Sequence, residues 1–324
     1  MTFFSILIAL VLEQLKPLRA DNPVYALIKA YAMRMESWFN AGQASHGRLA
    51  WCLVMASLAL PVAIIYWLLK LIPAPEVRML AVFCWNVLIV YLTLGFRHYS
   101  HYFSAIQLAL SAGDESRARQ LLADWTGLDT VGMEISEVCR IAVERALVTS
   151  HRSVFGVFFW FLMPVGPACA IMYRLAEYLA RAWNEPAHMK NEVFGHFAQR
   201  AFYVIDWIPV RLTAIAFAIV GNFEDAIYCW RNFASRWREA AVGIILASGS
   251  GALGVRLGAA AEGAANVLPP DAAMVDTVAG AETEAMPGEE PGPRALQSTV
   301  ALVWRALVLW MMLLLLLSVA VFFG

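Results

Sequence analysis

Charged residues are scarce in this chain. Asp, Glu, Lys and Arg make up only 15% of the sequence, hydrophobic residues make up 60%, and the mean hydropathy is +0.62. Soluble domains carry about 25% charged residues, so this composition excludes an ordinary soluble protein. The formal net charge of −1 gives no indication of a nucleic-acid partner. We therefore predict an all-α, polytopic membrane helix bundle whose partner is the lipid bilayer and not a nucleic acid.

Several site signals are also missing. The five cysteines form no Cys-x-x-Cys pair and no Cys/His zinc spacing, so we expect buried free thiols and no metal site. The apolar run Phe3–Leu12 lacks a basic region and a cleavage site, so it is not a signal peptide but a short first span or an interfacial helix. No nucleophile–His–acid set stands out. The two halves show no repeat of the transporter kind, which makes a transporter the weakest reading.

Long apolar runs, in contrast, are abundant, and they predict five or six membrane crossings. The clearest are Leu49–Ile72, Met79–Phe96 and Thr299–Phe323. The first two are separated by a short connector with two prolines, which predicts a tight hairpin. Val154–Met172 is apolar too, but prolines and a glycine interrupt it, so a kinked span and a re-entrant hairpin both stay open.

Residues 97–153 form the polar part of the chain, where we expect cytoplasmic helices. Asp114 or Ser111 caps a helix restart there, and helices are predicted over Ser116–Trp125 and Gly132–Thr149. The segment is rich in arginine, and basic loops face the cytoplasm. The sequence therefore predicts a multi-pass protein of the bacterial inner membrane. Its basic residues are Arg97, Arg117, Arg119, Arg140, Arg145 and Arg152.

Residues 259–298 differ from the rest in composition. They are rich in Ala, Gly, Pro and Glu, carry seven acids against one base, and have no hydrophobic periodicity. Such a segment cannot bury a core, so we predict a disordered acidic linker. It would connect a membrane domain of residues 1–258 to a C-terminal transmembrane helix of residues 299–324.

The run Ala201–Gly221 is long enough to cross a bilayer but carries Asp206, Pro209 and Arg211 near its start. Three readings stay open. In the first reading the charged end lies at the membrane interface, with Trp207 and Arg211 at headgroup level. In the second the helix is broken around a buried polar site that Asp206 and Arg211 share. In the third reading Asp206 is the N-cap of a shorter helix.

Three smaller patterns have competing readings. His98 and His101 lie one turn apart and could form a metal pair, although an interfacial role explains them better. Glu144, with Arg140 and Arg145, is expected to be part of a solvated charged face. The glycines of the Ser248–Gly254 segment resemble a phosphate-binding loop, but no strand precedes them and no Lys-Ser/Thr follows, so this signal is weak.

A series of short motifs resembles the CobD/CbiB family of cobalamin-biosynthesis membrane proteins. The resemblance covers roughly Arg97–Gly258, and the motifs fall in the family's order. They are Gly113-Asp114, Ala118-Arg119, Leu128-Asp129-Thr130, Ile141-Ala-Val-Glu144, Gly166-Pro167-Ala168, Tyr173-Arg174, Ile208-Pro209-Val-Arg211-Leu-Thr213 and Gly251-Ala-Leu-Gly-Val-Arg-Leu-Gly258.

This resemblance implies an amide ligation in which adenosylcobyric acid is joined to aminopropanol or its phosphate, with ATP and Mg²⁺. It implies a corrinoid substrate, or other corrinoid-pathway membrane proteins, as partners. We expect catalytic roles for Glu144 and Asp129. The residues expected to bind substrate are Asp206, Arg211, Arg97, His101, Tyr173, Arg174 and Arg256.

The chain departs from the family where acids are usual. Val148 and Arg152 stand at those positions, and neither holds Mg²⁺. Other stretches, Arg97-His-Tyr-Ser-His-Tyr102 and Asp206-Trp-Ile-Pro-Val-Arg-Leu212, resemble AmpE, an inner-membrane protein linked to cell-wall recycling and β-lactamase regulation. A non-enzymatic regulatory or accessory protein of the AmpE kind is therefore the alternative function.

Overall fold

The computed structural model describes residues 2–16, 22–40, 44–184, 192–258 and 286–323. In these ranges every extended regular element is a helix, and one isolated parallel bridge joins Val255 to Glu289. The helices are α1 (Thr2–Leu15), α2 (Pro23–Phe39), α3 (Ala44–Lys70), α4 (Pro75–Thr93), α5 (Phe96–Ser111), α6 (Glu115–Thr126), α7 (Ile135–Ser150), α8 (Gly156–Phe161), α9 (Gly166–Ala182), α10 (Glu192–Val220), α11 (Phe223–Phe233), α12 (Ala240–Leu253) and α13 (Pro293–Phe323).

Four described helices are long and apolar enough to cross a membrane. They are α3, α4, α10 and α13, with spans of 26, 19, 27 and 28 residues. Only 11% of the apolar window of α3 is buried inside the protein, so most of its hydrocarbon surface faces outward, where lipid is the matching solvent. The prediction of a helical membrane bundle is confirmed. Two shorter apolar helices, α1 and α12, leave the count of five or six crossings a prediction.

The chain forms two compact units that interleave along the sequence. Unit 1 contains Met1–His98, Arg152–Pro209 and Leu314–Gly324, and unit 2 contains Tyr99–His151 and Val210–Leu313. The boundaries of these units do not coincide with the boundary that the sequence predicts at residue 258.

In unit 1, α4 packs against α1, α3 and α9, and α2 lies along α3. The segment Val154–Met172, for which the sequence left a kinked span and a re-entrant hairpin open, is a helical hairpin. Here α8 and α9 pack on each other across a turn, and Gly156, before the turn, faces Tyr173, after it. The chain therefore reverses direction, and the kinked-span reading is wrong.

In unit 2, the helices α6 and α7 follow the predicted helix restart. The Asp114 carboxylate caps α6 by accepting a hydrogen bond of 2.9 Å from the backbone N–H of Arg117. This bond, with a second from the Ser116 hydroxyl, lowers the pKa of Asp114. Gly127 ends the helix in the left-handed conformation, with φ of 75°.

Of the glycines that resemble a phosphate-binding loop, Gly249 and Gly251 are inside a helix, and Gly254 caps its end. In α12, a Cβ on Gly251 would overlap the backbone of Asp225 in α11, and one on Gly249 would lie 2.6 Å from a methyl group of Leu147 in α7. Small residues thus allow α12 to approach its neighbours closely, as is common in membrane proteins. Their role in the structure is helix packing.

The end of the predicted linker is ordered. Residues 259–285 lie outside the described residues, but α13 begins at Pro293, and the segment before it is fixed to the end of α12. Glu289 donates its backbone N–H to Gly254 O (3.0 Å) and accepts from the Arg256 N–H (2.8 Å), while Met286 is buried. The prediction of a disordered segment through residue 298 is therefore wrong for residues 286–298.

Candidate functional site

Glu144 is the centre of a buried polar site in unit 2. It lies on α7, and its side chain is only 5% exposed. Arg140, one turn earlier, donates to it at 3.1 Å and also pairs with Glu137 at 3.3 Å. Glu137 is 37% exposed, so one of the two acidic partners of Arg140 is partly exposed and the other, Glu144, is buried. The expectation of a solvated charged face at Glu144 is wrong, because tertiary packing covers this part of α7.

A backbone group from far along the chain completes this site. The N–H of Gly258 donates to the same oxygen of Glu144, at 2.7 Å and across 114 residues of sequence. The chain reaches this position because α12 ends at Gly254 in the left-handed conformation, and the Ser250 hydroxyl then holds the carbonyl of Val255. Two motifs that carry the family resemblance, around Glu144 and from Gly251 to Gly258, are thus joined directly.

His151 extends the buried polar face of α7, and the sequence reasoning missed it. It follows Glu144 by seven residues, which is about two turns, so both lie on one face of the helix. The imidazole Nδ1 is 2.9 Å from the Thr213 hydroxyl, and His151 is only 2% exposed. A π-helical turn begins here, over His151–Phe155. The spacing of seven between a buried acid and a histidine is the signal that could have identified it.

A second polar site lies in unit 1, where Tyr173 of α9 meets Asp206 of α10. The Tyr173 hydroxyl donates to Asp206 Oδ1 at 2.9 Å, and the two residues are 0% and 1% exposed. Burial, with the neighbouring Asp206 carboxyl group, raises the pKa of Tyr173 well above its usual value. The phenol therefore keeps its proton and acts as the donor of this bond.

Two arginines lie near this pair. The guanidinium of Arg152 lies 5.8 Å from the ring of Phe202, which precedes Asp206 by one turn and is 5.7 Å from the Tyr173 ring. Arg174 donates to the carbonyl of Arg152 at 3.3 Å and pairs with Glu177 at 3.5 Å. The predicted residues Tyr173, Arg174 and Asp206 are thus near one another, with Tyr173 and Asp206 buried and Arg174 partly exposed. Their binding of substrate stays a prediction.

The helix that carries Asp206 is continuous. It runs through Pro209 without a break and begins fourteen residues before Asp206, so the readings with a broken helix and with Asp206 as N-cap are both wrong. Five residues of a continuous helix separate Asp206 from Arg211 by about 140° around its axis. Trp207 is 48% exposed and Arg211 is half-buried, so the interfacial reading of this end stays a prediction.

The remaining predicted residues are more exposed. Asp129 closes a turn by accepting from the N–H of Val131 at 3.1 Å, and Arg256 donates to the carbonyl of Gly288 at 3.3 Å. His101 is exposed, with the ring of Tyr102 beside it. The side chain of Arg97 lies outside the described residues. Catalytic and binding roles for these residues stay predictions.

The described residues do not fit a protein-held metal ion. Among them, no three His, Cys, Asp or Glu side chains are arranged to hold one. Glu144, the best-buried candidate ligand, is already engaged by a guanidinium and a backbone N–H.

Removing the Tyr173 hydroxyl should destabilise the protein. The Tyr173→Phe variant leaves the buried Asp206 carboxylate without this donor, and a lost hydrogen bond to a charged group costs about 1.5–3 kcal/mol. The matched control is Tyr203→Phe on α10, the helix that carries Asp206, because Tyr203 is 46% exposed. Thermal unfolding of the detergent-purified variants measures both. Equal stabilities for the two variants would contradict the importance of the Tyr173–Asp206 bond.

The four long apolar helices of the described residues define a helical membrane-bundle protein. A family model described as CobD/Cbib protein matches residues 6–283. The chain belongs to the CobD/CbiB family, and the match extends beyond the stretch of residues 97–258 that carried the resemblance.

Individual relatives agree with this assignment. The chain is 32% identical to "Cobalamin biosynthesis protein CobD" of Stutzerimonas stutzeri, over 97% of both chains. It is 32% identical to the protein of the same name from Chromobacterium violaceum, over 66% of each chain. It is also 24% identical to "Protein AmpE" of Shigella flexneri, over 71% of this chain and 78% of that protein. No solved structure matches the chain.

Proposed function

We propose that this protein acts in cobalamin biosynthesis, in the step that joins aminopropanol or its phosphate to adenosylcobyric acid through an amide bond. Membership of the CobD/CbiB family and the relative matched over 97% of its length support this assignment. We further propose that it is a multi-pass protein of the bacterial inner membrane, with the segment 97–153 on the cytoplasmic side, where nucleotide is available.

The observation that carries the proposal is the bond between Glu144 and Gly258. It joins two motifs of the family resemblance that are far apart in sequence, at a distance of 2.7 Å. Backbone segments that bind a substrate must be held in place before the substrate arrives. In this proposal Glu144 is a positioning residue, because it fixes the segment that precedes Gly258.

Arg256 is the substrate-binding residue of this segment in our proposal. It lies two residues before Gly258 and is exposed, so the segment held by Glu144 presents a cation at the protein surface. A guanidinium binds phosphate or carboxylate groups with two parallel hydrogen bonds. The carboxylates of the corrinoid and the phosphate of aminopropanol phosphate are groups of this kind.

Amide formation requires an activated carboxylate and an amine that loses a proton, and ATP with Mg²⁺ supplies the activation when bound. Mg²⁺ in such sites is often held largely by the phosphates of the nucleotide and by water. Of the two acidic site residues, we propose a catalytic role for Asp129, which is exposed on a turn of the same unit, while Glu144, held by Arg140, is the positioning residue. The contribution of this chain is then to bind and orient the substrates.

The test is an assay of the full chain in lipid nanodiscs, supplied with adenosylcobyric acid, aminopropanol or its phosphate, ATP and Mg²⁺. We expect an amide product, identified by mass, that depends on ATP. The Arg256→Ala variant should raise the KM for the anionic substrate about tenfold, the equivalent of one lost charged contact. Arg117→Ala removes an exposed arginine of α6 and should leave the KM unchanged.

Folded protein that yields no product under these conditions would contradict the ligation, as would failure to restore corrinoid synthesis in a strain that lacks this step. An unchanged KM in Arg256→Ala would instead contradict only the role of Arg256. Thermal unfolding of each variant shows whether the protein is folded in the assay.

The second candidate function is that of an AmpE-like accessory protein without an enzymatic reaction. Two observations favour it: the match to an AmpE protein, and Val148 and Arg152 at positions where the family carries acids. Deleting the gene should then change β-lactamase induction while leaving corrinoid synthesis intact. The ligation proposal expects the opposite pair of results.

A further inference from the structure

The inward face of α2 is fixed to unit 1. The Tyr25 hydroxyl donates to the carbonyl of Leu92 at the end of α4, at 2.6 Å, and the Trp183 indole N–H donates to the carbonyl of Ala32 at 3.4 Å. Ala32 and Glu36 are buried on this face. The orientation of the helix about its own axis is therefore set by the protein.

The outward face of α2 carries large apolar side chains. Leu27 is 70% exposed and Trp38 is 64% exposed. Arg34 lies between them, and its guanidinium is 5.1 Å from the centre of the Trp38 ring. Spacings of seven and four residues place these three side chains on one side of the helix. We call them the α2 outer face.

The exposed charges around this face have one sign. Among the described residues from 2 to 50, the only acids, Glu13 and Glu36, are 2% and 8% exposed. All the exposed charged side chains in that part of the chain are cations, namely Lys16, Lys29, Arg34 and Arg48. An exposed apolar face with an all-positive border is complementary to a layer of anionic headgroups over hydrocarbon.

We propose that the α2 outer face lies in the headgroup layer of the membrane and binds anionic phospholipid there. The neighbouring helices fix α2 at this level, because the apolar helix α1 precedes it and the spanning helix α3 begins five residues after it ends. Leu27 and the Trp38 ring enter the hydrocarbon boundary, while Arg34 pairs with a phosphate. This surface is independent of the site around Glu144 and of the proposed reaction.

Spin-label accessibility tests the position of the face. Nitroxides are placed at Leu27 and Trp38 in a variant whose five cysteines are replaced by alanine, reconstituted in nanodiscs containing phosphatidylglycerol and phosphatidylcholine. Reference labels are placed at Ile64 in α3 and at Val131, which is 91% exposed on a loop. We expect the two labels to be accessible to oxygen and shielded from an aqueous nickel complex, with values between the references.

Other accessibility results would overturn the proposal. A label as open to the nickel complex as Val131 would place the face in water. A label shielded from both reagents would mean that protein covers it, as in contact with a second copy of the chain or another polypeptide.

Lipid selectivity tests whether the positive charge of the face binds anionic lipid. This measurement uses the protein with its native cysteines. The preference for spin-labelled phosphatidylglycerol over phosphatidylcholine should fall about fivefold in Arg34→Ala, which removes the cation of the face. The charge-conserving Arg34→Lys variant should keep the preference. An unchanged preference in the alanine variant would overturn the proposal.

Discussion

Truncating Glu144 to alanine should cost about 3 kcal/mol of stability, the lower end of the range for breaking a buried charge pair. The variant leaves the largely buried Arg140 with only its partly exposed partner Glu137, and it leaves the N–H of Gly258 without an acceptor. Glu144→Gln keeps a carbonyl oxygen for that N–H and should lose less. Thermal unfolding in detergent of the two variants, compared with the unmodified chain, measures the difference.

The control for this prediction is on the same helix. Glu137→Ala removes the other acidic partner of Arg140. Glu137 is 37% exposed, and an ion pair with so exposed a member contributes about 0–1 kcal/mol to stability. If the Glu137 and Glu144 variants lost equal stability, the site around Glu144 would be a surface ion pair and not a buried junction.

Adding one methyl group at Gly156 should destabilise the hairpin of α8 and α9. Its Cβ would overlap the ring of Tyr173, whose side chain is fully buried. Overpacking of this kind costs about 1–3 kcal/mol, and we expect the upper end because the ring is also held by Asp206. Helix propensity alone would favour alanine by about 1 kcal/mol, so the sign of the change separates the two effects.

A double-variant cycle isolates the clash. In the Tyr173→Ala background the ring is absent, so Gly156→Ala should become neutral or stabilising. Gly292→Ala is the reference, since a Cβ there meets nothing within 4 Å. A Gly156→Ala loss that persists without the Tyr173 ring would show that the strain has another source.

The membrane helices and the family were accessible from local sequence. Apolar runs such as the one in α3 have the length of a bilayer, and lipid exposure requires no partner elsewhere in the chain. The capping of α6 by Asp114 is also local, because the bond is made within three residues. The motifs that resemble the family lie in the family's order along the chain, and the match to the family model confirms the family.

The structural roles of residues whose surroundings depend on distant segments could not be predicted from local sequence. Pro209 suggested a break, yet a helix in a packed bundle tolerates proline because neighbouring groups replace the lost bond. Glycines 249 and 251 suggested a loop, but they are where α12 approaches other helices. Glu144 suggested a solvent-exposed charged face, because an acid and an arginine one turn apart on a helix usually form an ion pair at the surface.

The class of protein, the family and the approximate positions of the long membrane helices follow from composition, run length and motif order, which are properties of the chain alone. The burial of Glu144 against the N–H of Gly258, and the hydrogen bond that Asp206 accepts from Tyr173, depend on how the helices pack. These contacts join segments 114 and 33 residues apart. A charged side chain is stable in such a place only when packing brings it the partners that replace water.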